Sequence, residues 1–287
     1  MNNLGCLRKS VGGYTNYKEE VVMKFKKLDI VWKYVIYTYL LFWFMVLGLG
    51  GMANLVFDAS PLEMKGIITV CSWAPTIVLL VMLKKLRPDL TIRKFYKNAF
   101  REKLNILTFF MSTLLIVGIF LIAVSLLSVI EKTGISAQLS FVATALFGNI
   151  IFTAIQGASG EESGWRGYLM PIMETRYGFV KGNLVLGLIW AFWHLPLWFV
   201  STDYGGMHLL IYIISFIIGL TAFSTVIGVF MKKCNNLILA FWMHFLFNFV
   251  LTFFGGKDIY LLMAFAVLYT LAAVICVAVY LKRNISN

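Results

Sequence analysis

Two adjacent carboxylates, Glu161 and Glu162, and an arginine, Arg166, stand at the end of a long apolar run, in the stretch Gly157-Ala158-Ser159-Gly160-Glu161-Glu162-Ser163-Gly164-Trp165-Arg166. Two histidines, His194 and His244, lie within other apolar runs, and Asn248 follows His244 by four. These residue types suit acid–base hydrolysis. A carboxylate can take a proton from water, an imidazole can take or give one, and two convergent donors can hold an oxygen on which charge develops. Ionisable groups at membrane depth cost roughly 2.5–3.5 kcal/mol each on insertion scales, so such a cluster needs a structural or functional reason.

Spacing says which of them can meet. On a continuous helix Glu162 and Arg166 are four apart and within ion-pair reach, while Glu161 lies about 100° further round and can point elsewhere. His244 and Asn248 share one face of their helix, as do Trp190 and His194, so an aromatic ring can pack beside the second imidazole. By helical rise, His194 and His244 sit roughly 16 and 11 Å from the cytoplasmic ends of their segments, depths compatible with one polar cavity shared with the glutamates. Each feature alone has a plainer reading: a Glu–Arg pair staples helices, and a lone intramembrane histidine is often structural. The combination on three segments favours a reaction centre. Glu161, His194 and His244 could also form a His₂Glu zinc site, although no H-E-x-x-H helix is present.

The elements that must carry these residues are membrane helices. The 287 residues are 60% hydrophobic and 13% charged, with mean hydropathy +0.84, which excludes an ordinary soluble domain. Eight apolar runs can be drawn. They are Ile30 to about Leu55, Gly66 to Leu83, Leu104 to Leu127, a fourth from near Gln138, Asn183 to Val200, Leu209 to Met231, Leu237 to Phe254 and Ile259 to Leu281. The expected fold is an all-α, polytopic bundle with residues 1–29 as a basic cytoplasmic segment and 30–287 as a single transmembrane domain.

The formal charge of +12 follows this topology. Of 25 basic residues only Lys65, Lys132 and Lys257 fall in expected outer loops, which places both termini and the basic Lys84–Lys103 segment in the cytoplasm. That segment is expected to be either an amphipathic helix after Pro88 or a solvated loop, with no nucleic-acid role. Cys6, Cys71, Cys234 and Cys276 show no metal-ligand spacing and read as free thiols. His208, Glu174 and Arg176 read as groups near helix ends with no chemical role.

Glu161-Glu162-Ser163-Gly164-Trp165-Arg166, then Trp190-Ala191-Phe192-Trp193-His194, then His244-Phe245-Leu246-Phe247-Asn248 resemble the three signature motifs of the CAAX protease and bacteriocin-processing (CPBP, abortive-infection) family, which includes the type II CAAX prenyl endopeptidases. The likeness covers about residues 144–250. It departs at Trp190, where the family's second motif usually has phenylalanine. The resemblance implies an intramembrane endopeptidase in which Glu161 activates water with His194, His244 and Asn248 stabilise the oxyanion, and Glu162 and Arg166 support the site. It also implies an eight-helix bundle with a conical cavity open toward the cytosol and the lipid, so cleavage is expected near the cytoplasmic face. No cofactor is expected, zinc being the alternative. The expected partners are membrane lipids and a hydrophobic or lipidated peptide, and the expected location is the plasma membrane of a bacterium. A non-catalytic bacteriocin-immunity or peptide-binding protein and a transporter are the rival readings. Substrate identity and oligomeric state are not legible in the sequence.

Overall fold

The computed structural model describes residues 28–200 and 202–285. Most of the expected N-terminal segment, Cys6 included, lies outside them. The described chain is helical, and five helices are long and apolar enough to cross a bilayer: α1 (Ile30–Phe57), α2 (Pro61–Leu86), α4 (Ile106–Ile130), α9 (Gly206–Met231) and the span at Asp258–Arg283, which lies within α11 (Asp258–Ile285). Between them lie α3 (Ile92–Ala99), α5 (Leu146–Thr153), α6 (Met170–Tyr177), α7 (Phe179–Trp193), α8 (Leu195–Val200) and α10 (Leu237–Leu251). Residues such as Leu55, Val81, Ile106 and Val129 are largely exposed on the outer faces, where only lipid could cover them. The chain is a multi-pass membrane protein.

The helix starts follow local chemistry. Asp29 caps α1 by accepting from the Val31 amide (2.9 Å), Ser60 and Glu63 form a reciprocal capping box ahead of Pro61, and Asn105 caps α4. The second span therefore begins at Pro61, earlier than the apolar run suggested, and Lys65 lies inside it, with Nζ 3.3 Å from Asn149 Oδ1. Of the two readings of the basic segment, the helix is found. Phe95 of α3 is buried, and the Tyr96 hydroxyl lies 3.2 Å from Ser163 Oγ.

Two expected spans are not continuous helices. The fourth is a 3₁₀ turn (Ile135–Gln138), an extended stretch, α5, and then wide π turns at Ala154–Ser159 and Ser163–Leu169 leading into α6. The fifth breaks at His194, just before Pro196, whose ring nitrogen cannot continue the backbone ladder.

The two ends of the bundle differ. At one end Asn236 Nδ2 donates to the Glu102 carbonyl (2.5 Å), Arg176 pairs with Asp29, and Lys232 pairs with Glu174, all close to the basic α2–α4 connection. At the other end the extended stretch pairs with the loop after α10: the Gly255 amide donates to Gln138 O and the Ser140 amide to Phe253 O, both at 2.9 Å. Between the ends α9 forms the centre, buried from Gly219 to Met231 and packed against α7 and α11.

Candidate active site

The Glu161–Glu162 segment is pressed into the bundle because it presents a glycine face. A Cβ on Gly160 would come within 2.9 Å of the Ser72 carbonyl, and one on Gly164 within 2.9 Å of the Pro75 backbone carbon. Only hydrogen at both positions, one turn apart, lets this segment lie against α2 where Ser72 and Trp73 interrupt its helix. Just before it the backbone leaves helical geometry at Gln156 and Gly157, and Trp73 Nε1 donates to the freed Ile155 carbonyl (3.0 Å). The packing and the kink together turn the two carboxylates in different directions.

Glu162 is fully buried. Its Oε1 accepts from Arg166 Nη1 at 2.8 Å and from His244 Nδ1 at 2.6 Å. Arg166 also donates to Ser224 Oγ (3.1 Å) and lies 4.2 Å from the centre of the Trp190 ring. The Glu162–Arg166 pair expected from spacing is therefore present, and Glu162 also takes His244. A charge buried this deeply persists only when opposed and hydrogen-bonded, and here one carboxylate oxygen serves both a guanidinium and an imidazole.

Glu161 points the other way, into a cavity of about 410 Å³ that it shares with His194, His244 and Asn248, within the range of small-ligand sites. Its Oε2 accepts from Trp190 Nε1 at 2.6 Å rather than from either imidazole. Trp190 thus keeps the aromatic ring of the resembled motif and adds a donor that phenylalanine lacks. The Trp190 carbonyl lies 2.8 Å from His194 Nδ1. A carbonyl can only accept, so Nδ1 carries the proton and Nε2 keeps a lone pair. In the same way His244 Nδ1–H donates to Glu162, leaving its Nε2 on the other side of the ring.

His244 Nε2 and Asn248 Nδ2 converge beside Gly157: a Cβ there would lie 2.5 Å from the first and 2.8 Å from the second. The missing side chain leaves room for one small group between the two nitrogens. All six candidate residues are thus gathered in one place. Glu161, His194, His244 and Asn248 line the cavity, while Glu162 and Arg166 hold the wall behind it. Among the described residues no group of three His, Cys, Asp or Glu side chains is placed to hold a metal ion.

Three contributions were not foreseen by sequence reasoning. Gly157 sits in the Gly- and Ser-rich interruption of the fourth segment, which gave a weak signal. The donor role of Trp190 was visible only as the departure from phenylalanine. Ser224 is a serine in an apolar helix with no distinguishing pattern. The cavity runs on through Leu251, Phe254 and Gly256 to Asp258, at the end opposite the basic connection.

Comparisons with known proteins point to one family. Residues 142–250, which contain all six candidates, match the family model described as Rce1-like, type II CAAX prenyl endopeptidase. The chain is also 29% identical over 189 residues to CAAX prenyl protease 2 of Methanococcus maripaludis, covering 61% of this chain and 67% of that protein.

Proposed function

We propose, from its likeness to the CAAX protease and bacteriocin-processing family, that the chain is a metal-independent glutamic endopeptidase acting on peptides held at the plasma membrane. Family homology supports an intramembrane protease. The catalytic type is our reading, and one observation carries it: Glu161 shares a cavity with His194, His244 and Asn248, while Glu162 is committed to Arg166 and His244.

In the proposed reaction a water between Glu161 and His194 gives a proton to the Glu161 carboxylate as its oxygen adds to the scissile carbonyl carbon. His194 Nε2 orients that water by accepting its other proton in a hydrogen bond. The carbonyl becomes an oxyanion, which the Asn248 amide and the imidazolium form of His244 meet from the side of Gly157. Glu161 then passes the proton to the departing amine, the C–N bond breaks as the oxyanion collapses, and the products are an amine and a carboxylic acid, which gives up its proton to water. General-base assistance supplies about 10²–10⁴ in rate, and each oxyanion donor about 2.7–4 kcal/mol. No serine or cysteine nucleophile is required.

Glu162 acts by holding the His244 ring, and Arg166 by fixing Glu162. The CAAX prenyl protease likeness makes a lipidated or hydrophobic peptide the substrate class we favour. Quantitative proteomics of membranes carrying the wild type or Glu161→Ala tests this. Processed membrane peptides should disappear in the variant and persist in the presence of a chelator. Identical peptide profiles would refute the reading, and loss on chelation would restore zinc.

A further inference from the structure

The cavity that holds Glu161 has a direction. Toward the basic end it is closed by Glu162, Ser163, Trp165 and Arg166, each no more than 1% exposed. Toward the other end its lining passes from His244 and Asn248 through half-buried Leu251 and Phe254 to exposed Gly256 and Asp258. The helices agree: the cavity is lined by the first third of α11, by Tyr212 to Leu220 of α9, and by α10 only from His244 onward. A separate hollow of about 260 Å³ at the basic end, lined by Arg87, Phe95, Asn98 and Asn235, reaches Arg166 but none of Glu161, His194, His244 or Asn248.

Charge orients the bundle. The closed end carries the Lys84–Lys103 connection, Arg176 and the Lys232–Lys233 pair, while the open end carries Lys132 and Lys257. Short loops rich in Lys and Arg stay in the cytoplasm, so the closed end faces the cytoplasm and the open end faces outward.

We propose that the cavity is entered from the extracytoplasmic face, and that its substrates are peptide segments presented there: the outward-facing, apolar juxtamembrane part of a membrane-anchored or exported chain. This rests on the protease reading for the cleavage step, but not for the polarity. The proposal replaces the cytoplasmic access that sequence resemblance had suggested. The rim is ordered for such entry, since the loop after α10 is paired to residues 138–140 and the Tyr204 hydroxyl donates to Asp258.

The test has two arms in intact cells. In the full chain with its native cysteines replaced, single cysteines are placed at Lys257 on the rim, at Leu251 inside the cavity and at Asn98 at the closed end. A membrane-impermeant charged thiol reagent should modify Lys257→Cys and Leu251→Cys in intact cells, and Asn98→Cys only after permeabilisation. The reverse pattern overturns the proposal. In the second arm the unaltered protein meets two reporters with the same single anchor and the same apolar juxtamembrane segment, one displayed outside and one inside. Glu161-dependent loss of the outward reporter alone is expected, and cleavage of the inward one overturns the proposal. Outward labelling with neither reporter cleaved upholds the polarity and counts against the protease reading, so the two failures are distinguishable.

Discussion

Gly157→Ala tests the architecture of the site more sharply than removal of a charged group. The added methyl would lie 2.5 Å from His244 Nε2 and 2.8 Å from Asn248 Nδ2. Reaching an ordinary 3.4 Å contact requires movements of about 0.9 and 0.6 Å. The His244 ring cannot give that much, because its Nδ1 is 2.6 Å from Glu162 Oε1 and a shift of that size would stretch the bond to about 3.5 Å, beyond a useful hydrogen bond. Glu162 cannot follow, being fixed by Arg166 at 2.8 Å. The methyl therefore occupies the place assigned to the oxyanion or displaces one of its donors. We expect kcat to fall by about 10²–10³, the cost of one oxyanion donor. Gly148→Ala, where a Cβ meets nothing within 4 Å, is the control and should leave activity unchanged. Turnover of a fluorogenic membrane peptide by reconstituted protein, with thermal unfolding of the same samples, reads both. A folded Gly157→Ala enzyme with wild-type kcat would refute the convergence of His244 and Asn248 on the reacting oxygen.

Other expectations follow from single contacts. Glu162→Ala leaves the Arg166 charge buried without its partner and should destabilise the protein by about 3–5 kcal/mol, read as a lowered midpoint of thermal unfolding in detergent. Trp190→Phe keeps the ring under Arg166 but removes the donor to Glu161. Water in the cavity can replace part of that bond, so kcat should fall about 3- to 10-fold with KM unchanged, and an equal loss in KM would mean that the indole binds substrate instead. At the basic end, the bond from the Val31 amide, and then Arg176, hold the Asp29 carboxyl below its ordinary 3.8. Its contribution is thus complete above that value and lost as pH falls below it through the folded-state pKa, so acid should lower the unfolding midpoint less in Asp29→Asn than in the wild type.

The reactive residues were legible because each is costly where it stands. Glu161, Glu162, Arg166, His194, His244 and Asn248 are polar groups in apolar runs, and helical spacing alone paired Glu162 with Arg166. The contact of His244 with Glu162 was not legible, for a physical reason. Spacing arguments assume one continuous α-helix, whereas the π turns at Ala154–Ser159 and Ser163–Leu169 change the phase around the glutamates. The long spans α1, α4, α9 and α11 were found by length and apolarity. The breaks at His194 and at Gln156–Gly157 interrupt segments that hydropathy sees as continuous. The glycine face of Gly160 and Gly164 has meaning only once α2 lies against it. The direction of the cavity could not be read from the chain at all, since it depends on which half of each helix stands apart from its neighbours.

The role proposed for Glu161 is that of the base in a hydrolytic site. Its most direct measurement is single-turnover cleavage of a defined membrane peptide by the reconstituted wild type and by Glu161→Gln, a substitution that keeps size and a hydrogen-bonding oxygen for Trp190. A loss of about 10²–10⁴ in rate is expected, with peptide affinity retained. Cleavage by Glu161→Gln at the wild-type rate would contradict it.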